Sequence, residues 1–138
     1  MAKTPPEPRL SGTILMLRDA PDLQVLMVKR HYEIDFAAGA LVFPGGKAQD
    51  ADAAPDWADR LDGADTIHDA TARIAAIREA FEEAGLLLAR PRSARGVGQP
   101  LVGEPVATRL GPNRVAVDRG ETDFLDLIRP EDLVLALD

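Results

Sequence analysis

From Gly12 to Gly46 the apolar residues come in short runs separated by turn formers. "GTILMLRD" (12–19) ends at "DAPD" and "LQVLMVKR" (23–30) follows directly, so the two runs predict a β-hairpin. "GALVFPGG" (39–46) predicts a third strand, stopped by Pro44 and two glycines. The period then changes. Ile67, Ala70, Ile74, Ile77, Phe81 and Ala84 recur at helical spacing and predict a helix that ends at Gly85, where a left-handed cap belongs. Thr66 and Asp69 have capping-box spacing, with Asp in place of Glu.

Between strand and helix, residues 47–65 are acidic and Ala-rich, with Trp57 and Leu61 as the strong apolar anchors. They predict a long loop with one helical turn at "PDWADRL", its aspartates solvated and Trp57 pinning it to the body. The back half is less regular. "ARPRSARGVGQP" predicts a loop, "LVGEPVATRL" a short strand, and "NRVAVDRGETDFLDLIRP" two short helices broken at Gly120 and stopped by Pro130. The chain closes on the apolar run "LVLALD".

Composition narrows the function. A chain of 138 residues with 46% hydrophobic and 28% charged residues suits one globular domain. The net charge of -7 argues against non-specific binding to nucleic acid or an anionic membrane. Without cysteine, disulfides, thiolate metal sites and cysteine nucleophiles are excluded. No apolar run reaches membrane-spanning length, and "MAKTPPEPRL" has no apolar signal core, so a cytoplasmic location is expected.

The predicted helix carries an anomaly. "REAFEEAG" places Glu79, Glu82 and Glu83 on one arc, opposite the apolar stripe. Glu79 and Glu83 are a like-charge i,i+4 pair costing roughly 0.2–0.5 kcal/mol. Glu82 and Glu83 also lie in the last turn, where the helix dipole disfavours anions. A solvated charged face is the ordinary explanation for such a cluster. Clustered carboxylates are equally a site for Mg²⁺ or Mn²⁺, which take oxygen ligands.

At these residues the sequence resembles the Nudix hydrolases, whose box is Gly, five residues, Glu, seven residues, then Arg-Glu-apolar-x-Glu-Glu-x-Gly-apolar. "FPGG" supplies Gly46, and "REAFEEAGL" supplies Arg78, Glu79, Glu82, Glu83, Gly85 and Leu86, with Ala80 at the first bulky apolar position. The resemblance implies an α/β domain of the α+β type, a mixed β-sheet sandwiched between helices. It implies hydrolysis of a small-molecule diphosphate with Mg²⁺ or Mn²⁺. Glu82 and Glu83 would be metal ligands, Glu79 a further ligand or the group that activates water, and Arg78 the residue that orients them. A backbone carbonyl at Gly45 or Gly46 would join the metal shell.

Two departures stand out. Arg78 follows Gly46 by 32 positions where the box has 14, so the chain carries 18 extra residues. Counted back from Arg78, the first box Glu falls on Ala70 and is missing; Asp69 is adjacent, and Asp50 and Asp52 are alternatives in the loop. A long segment inside the box resembles the coenzyme A diphosphatase branch. Leu26, Arg30, Gly39 and "FPGG" match that branch's upstream signature, while Val28, His31 and Asp35 depart from it. The resemblance thus implies coenzyme A or an acyl-CoA ester as substrate, with contacts from Arg30, Gly39, Phe43 and Gly45. The alternatives are another nucleoside diphosphate derivative, or a Nudix-like module that binds a nucleotide without turnover. His31 and His68 have no partner at metal-ligand spacing.

The expected organisation is a disordered tail over 1–9 and one domain over 10–138, with an insertion at 47–65 and a loosely assigned part at 89–138. The relatives lead on into further strands, so the chain is expected to be C-terminally incomplete, with an exposed sheet edge that would favour a homodimer.

Overall fold

The computed structural model describes residues 5–29, 39–63 and 67–138, without the side chains of 67–69. The front half is a set of short antiparallel pairs. β1 (Ser11–Thr13) pairs with β6 (Gly45–Lys47), β2 (Leu17–Asp19) with β3 (Leu23–Val25), and β4 (Val28–Lys29) with β5 (Leu41–Val42). The hairpin expected around "DAPD" is the β2–β3 pair. The two long runs that flank it are each divided into two strands, as is "GALVFPGG".

The helix α1 (Ile67–Ala84) follows the predicted period. Ala70, Ile74, Ile77 and Phe81 are all buried in the core, and Gly85 leaves the helix at φ 70°. That conformation suits glycine, which has no Cβ to clash. The helix lies directly on β1. A Cβ at Gly12 would stand 1.9 Å from the carbonyl oxygen of Ala72, so only glycine permits this approach.

The insertion is more ordered than a long loop, with the expected helical turn present at Pro55–Trp57 and Asp50, Asp56 and Asp59 exposed. It folds as two 3-10 turns, Asp50–Ala53 and Pro55–Trp57, and then strand β7 (Leu61–Asp62). Trp57 is the expected anchor: its ring lies 6.0 Å from Phe124, which itself stacks at 5.6 Å on Phe81. Its indole N–H donates to the Ala51 carbonyl at 3.0 Å, satisfying the one polar atom it buries. Two aspartates expected in solvent are buried instead, Asp52 and Asp62. Asp62 accepts from Arg90 Nη1 at 3.0 Å and from the Gly96 N–H at 2.7 Å, which ties the insertion to the back half.

The back half holds two further corrections. "ARPRSARGVGQP" contains strand β8 (Ala89–Pro91) and a 3-10 turn at Arg92–Ala94. "LVGEPVATRL" forms a helix, α2 (Glu104–Leu110), in which Pro105 sits in the first turn, where its missing N–H costs nothing. The two short helices around Gly120 are present as α3 (Arg114–Asp118) and α4 (Phe124–Ile128). The final apolar run is strand β9 (Leu133–Ala136), buried along its whole length. It is the middle of a mixed sheet, parallel to β7 and antiparallel to β8.

Candidate active site

Burial of the apolar stripe of α1 fixes the rotation of the helix, and the glutamate arc turns toward β6. Arg78 is the centre of this arrangement. It is 2% exposed, and so is nearly dry. Its Nε donates to Asp52 Oδ1 at 3.0 Å, and its Nη2 to Asp52 Oδ2 at 3.1 Å and to the Lys47 carbonyl at 3.0 Å. Its Nη1 donates to Glu79 Oε1 at 3.1 Å and to Glu82 Oε1 at 2.9 Å. The planar fork therefore meets three carboxylates at once, which a lysine ammonium could not do with this geometry.

The electrostatics follow from that sharing. Burial works against the Arg78 charge, but the hydrogen bonds it donates to Asp52 and Glu82 outweigh that and raise its pKa. Burial pushes the Glu82 carboxyl up from 4.5 to about 7. Arg78 opposes that shift, while Glu79 and Asp118 add to it. Both partners rise because Arg78 is divided among several acids, leaving Glu82 too little compensation for its desolvation.

Two glycines bring β6 against the arc. A Cβ at Gly46 would lie 2.2 Å from Glu79 Oε1, so the absence of a side chain at 46 is what lets that carboxylate lie against the strand. The Gly45 N–H donates to Glu83 Oε2 at 3.4 Å. A cavity of about 960 Å³ opens beside these groups. Glu82 and Glu83 form one wall, Lys29, Val42 and Phe43 another, and Arg114 and Asp118 of α3 a third.

Of the residues expected at the site, Arg78, Glu79, Glu82, Glu83, Gly45 and Gly46 come together, and Phe43 lines the cavity. Gly39, at φ 75°, turns the chain into β5 and is not part of the cavity lining. Arg30 and His31 lie outside the described residues, as do the side chains of His68 and Asp69.

The alternatives for the missing box acid differ in where the structure places them. Ala70 is fully buried in the core, where a glutamate would be an uncompensated charge. Asp52, one of the two alternatives in the loop, is the buried partner of Arg78. Counting forward from Gly46 would have found it: five residues and then Asp52, the spacing of Gly to Glu in the box. The extra residues therefore fall between Asp52 and Arg78. Arg114 and Asp118 reach the cavity through the tertiary fold, and no local pattern marks them.

Among the described residues, no three acidic or histidine side chains converge as a ready-made cation cage. The donor chemistry nevertheless fits Mg²⁺ or Mn²⁺. The ligands on offer are oxygens only, and Glu82 is a desolvated carboxylate short of positive charge. Glu79, Glu82 and Glu83 are the residues that would hold such an ion.

No protein-family model matches the chain. Among solved structures, it is similar to a Nudix hydrolase from Alicyclobacillus acidocaldarius, with a TM-score of 0.70 and 27% identity. The match covers 99% of this chain and 59% of that one, so the chain spans about three fifths of the length of the protein it resembles. The fold is therefore the Nudix α/β fold, and the likeness supports a place in the Nudix superfamily.

Proposed function

We propose that this chain is a divalent-metal-dependent Nudix hydrolase that cleaves a diphosphate linkage, with coenzyme A or an acyl-CoA ester as its substrate. The observation that carries the reading is the buried Arg78, which gathers Asp52, Glu79 and Glu82 beside the cavity. A surface acidic patch needs no such scaffold. Glu79, Glu82 and Glu83 would hold Mg²⁺ or Mn²⁺, with the Gly46 carbonyl as a further ligand. When bound, the ion lowers the pKa of water and offsets the charge of the diphosphate.

The chain's own residues do the positioning. Arg78 holds Glu79 and Glu82 in place despite their mutual repulsion. Glu79, backed by Gly46, takes the proton of the attacking water on its carboxylate. Phe43 and Val42 give the cavity an apolar wall, and Lys29 supplies a cation near the substrate anion. The coenzyme A assignment rests on Leu26, Arg30, Gly39 and the "FPGG" stretch. A second cavity of about 530 Å³, lined by Met16, Leu86, Leu88 and Leu101, shares Gly111 and Arg114 with the first and offers room for a pantetheine or acyl arm.

The net charge of -7 fits a small-molecule partner better than nucleic acid, and a cytoplasmic location belongs to the same reading. Among the described residues, no helix is long and apolar enough to cross a membrane. Hydrolysis of coenzyme A, acyl-CoA esters, dinucleotides and nucleotide sugars with Mg²⁺, with products identified by mass, tests the assignment. Coenzyme A should give adenosine 3′,5′-bisphosphate and phosphopantetheine. A preference for a nucleotide sugar would overturn the substrate, and no turnover on the whole panel would overturn the activity.

A further inference from the structure

Glu82 has a backbone carbonyl in the last turn of α1, and its partner is not the one a continuing helix would supply. The chain turns aside at Gly85, whose N–H goes to Phe81, and the N–H of Leu86 goes to Ala80 at 3.4 Å. Arg114, at the start of α3, takes the carbonyl of Glu82 instead. Its Nε donates at 3.0 Å and its Nη2 at 2.6 Å. One edge of the guanidinium is thus committed to the helix end, where a cation is favoured by the dipole.

The other edge is available. Among the described residues, Nη1 of Arg114 has no hydrogen-bond acceptor, and the side chain lines the large cavity together with Glu82 and Glu83. It also lines the adjoining apolar cavity, so it stands where the two meet. Gly85 keeps that edge clear: a Cβ there would lie 3.2 Å from Nη1. The glycine therefore has a second reason to be there, beyond its φ of 70°.

We propose that Arg114 is a phosphate anchor for the substrate, gripping a phosphoryl oxygen with Nη1 while Nε and Nη2 hold the end of the glutamate helix. Resting on the hydrolase reading above, it names a binding residue outside the Nudix box. An arginine suits the task because its rigid fork presents donors on two edges at once, and charge-assisted bonds to phosphate are strong. The contact also links occupancy of the cavity to the placement of Glu82 and Glu83, since Arg114 of α3 holds the carbonyl of Glu82 in the same turn of α1 that carries Glu83.

Calorimetric titration with inorganic pyrophosphate, with and without Mg²⁺, tests this on the parent chain, Arg114→Gln and Arg114→Lys. The glutamine variant should bind roughly tenfold or more weakly in both conditions, and the lysine variant should fall between. Circular dichroism and the thermal midpoint show whether each variant is folded. A purely structural cap would lower the thermal midpoint of Arg114→Gln yet leave pyrophosphate affinity unchanged below that midpoint, and this result would overturn the proposal. If the glutamine variant does not fold, an affinity in Arg114→Lys equal to the parent's would overturn it, and a weakened one would support it. Absence of pyrophosphate binding by the parent would also overturn it. A parent that binds pyrophosphate through Arg114 but hydrolyses no diphosphate would leave this inference standing and remove the hydrolase reading.

Discussion

Asp52→Asn tests the buried scaffold of the site. The substitution keeps the size of the side chain but removes the charge that Arg78 meets with both Nε and Nη2. It also weakens the acceptor of the Gln49 N–H, which lies 2.8 Å from Asp52 Oδ2. Both members of the pair are about 2% exposed at the side chain, so solvent cannot replace what is lost. Breaking a buried pair by removing one partner costs about 3–5 kcal/mol. The amide oxygen still accepts one bond and Arg78 retains Glu82, which puts the expected loss near the lower end, about 3 kcal/mol. For a chain of this length the entropy of unfolding is roughly 0.3 kcal/mol per degree, so the thermal midpoint should fall by about 10 °C. Differential scanning calorimetry at neutral pH, checked by urea denaturation, reads both quantities. Asp50→Asn, an exposed neighbour in the same 3-10 turn, is the control and should stay within about 0.5 kcal/mol of the parent. Equal small effects from the two variants would show that the Arg78–Asp52 pair does not organise the site.

Other outcomes follow from the same geometry. Gly46→Ala puts a Cβ within 2.2 Å of Glu79 Oε1 and should displace that carboxylate, lowering turnover by roughly 100-fold or more while the chain stays folded; turnover near the parental rate would separate Gly46 from the site. In chelator-treated protein, Glu82 holds its proton more tightly when folded, at about 7 against 4.5. Its contribution to stability is therefore full below pH 4.5 and lost as pH rises to about 7, on the order of 3 kcal/mol. Urea midpoints across this range should drop more steeply for the parent than for Glu82→Gln, and parallel curves would contradict the shift.

The parts of the molecule set by local chemistry were legible in the sequence. The 3.6-residue period of Ile74, Ile77 and Phe81 marked α1, Gly85 marked its end, and Gly120 marked the break between α3 and α4. Trp57 announced an anchor because a large aromatic in an acidic stretch has little else to do than bury itself. What was hidden depends on distance along the chain. The partners of β9 come from residues more than forty positions away, and one of them lies in the insertion. The α2 helix was hidden by valine and leucine around Pro105, a residue that suits a helix start as well as a strand end. Arg78, Glu79, Glu82 and Glu83 could be picked out because they are adjacent. Asp52 could not be placed by counting back from Arg78, since that count crosses the insertion.

In the proposed function the carboxylate arc of α1 carries metal-dependent hydrolysis of a diphosphate. Turnover of the best substrate by the Glu82→Gln/Glu83→Gln double variant, compared with the parent across a Mg²⁺ titration, tests it most directly. The parent should be inactive in chelator and saturate with Mg²⁺, and the folded double variant should lose activity by several orders of magnitude at every Mg²⁺ concentration. Parental turnover in the double variant, or turnover that persists without divalent metal, would remove the arc and its ion from the chemistry.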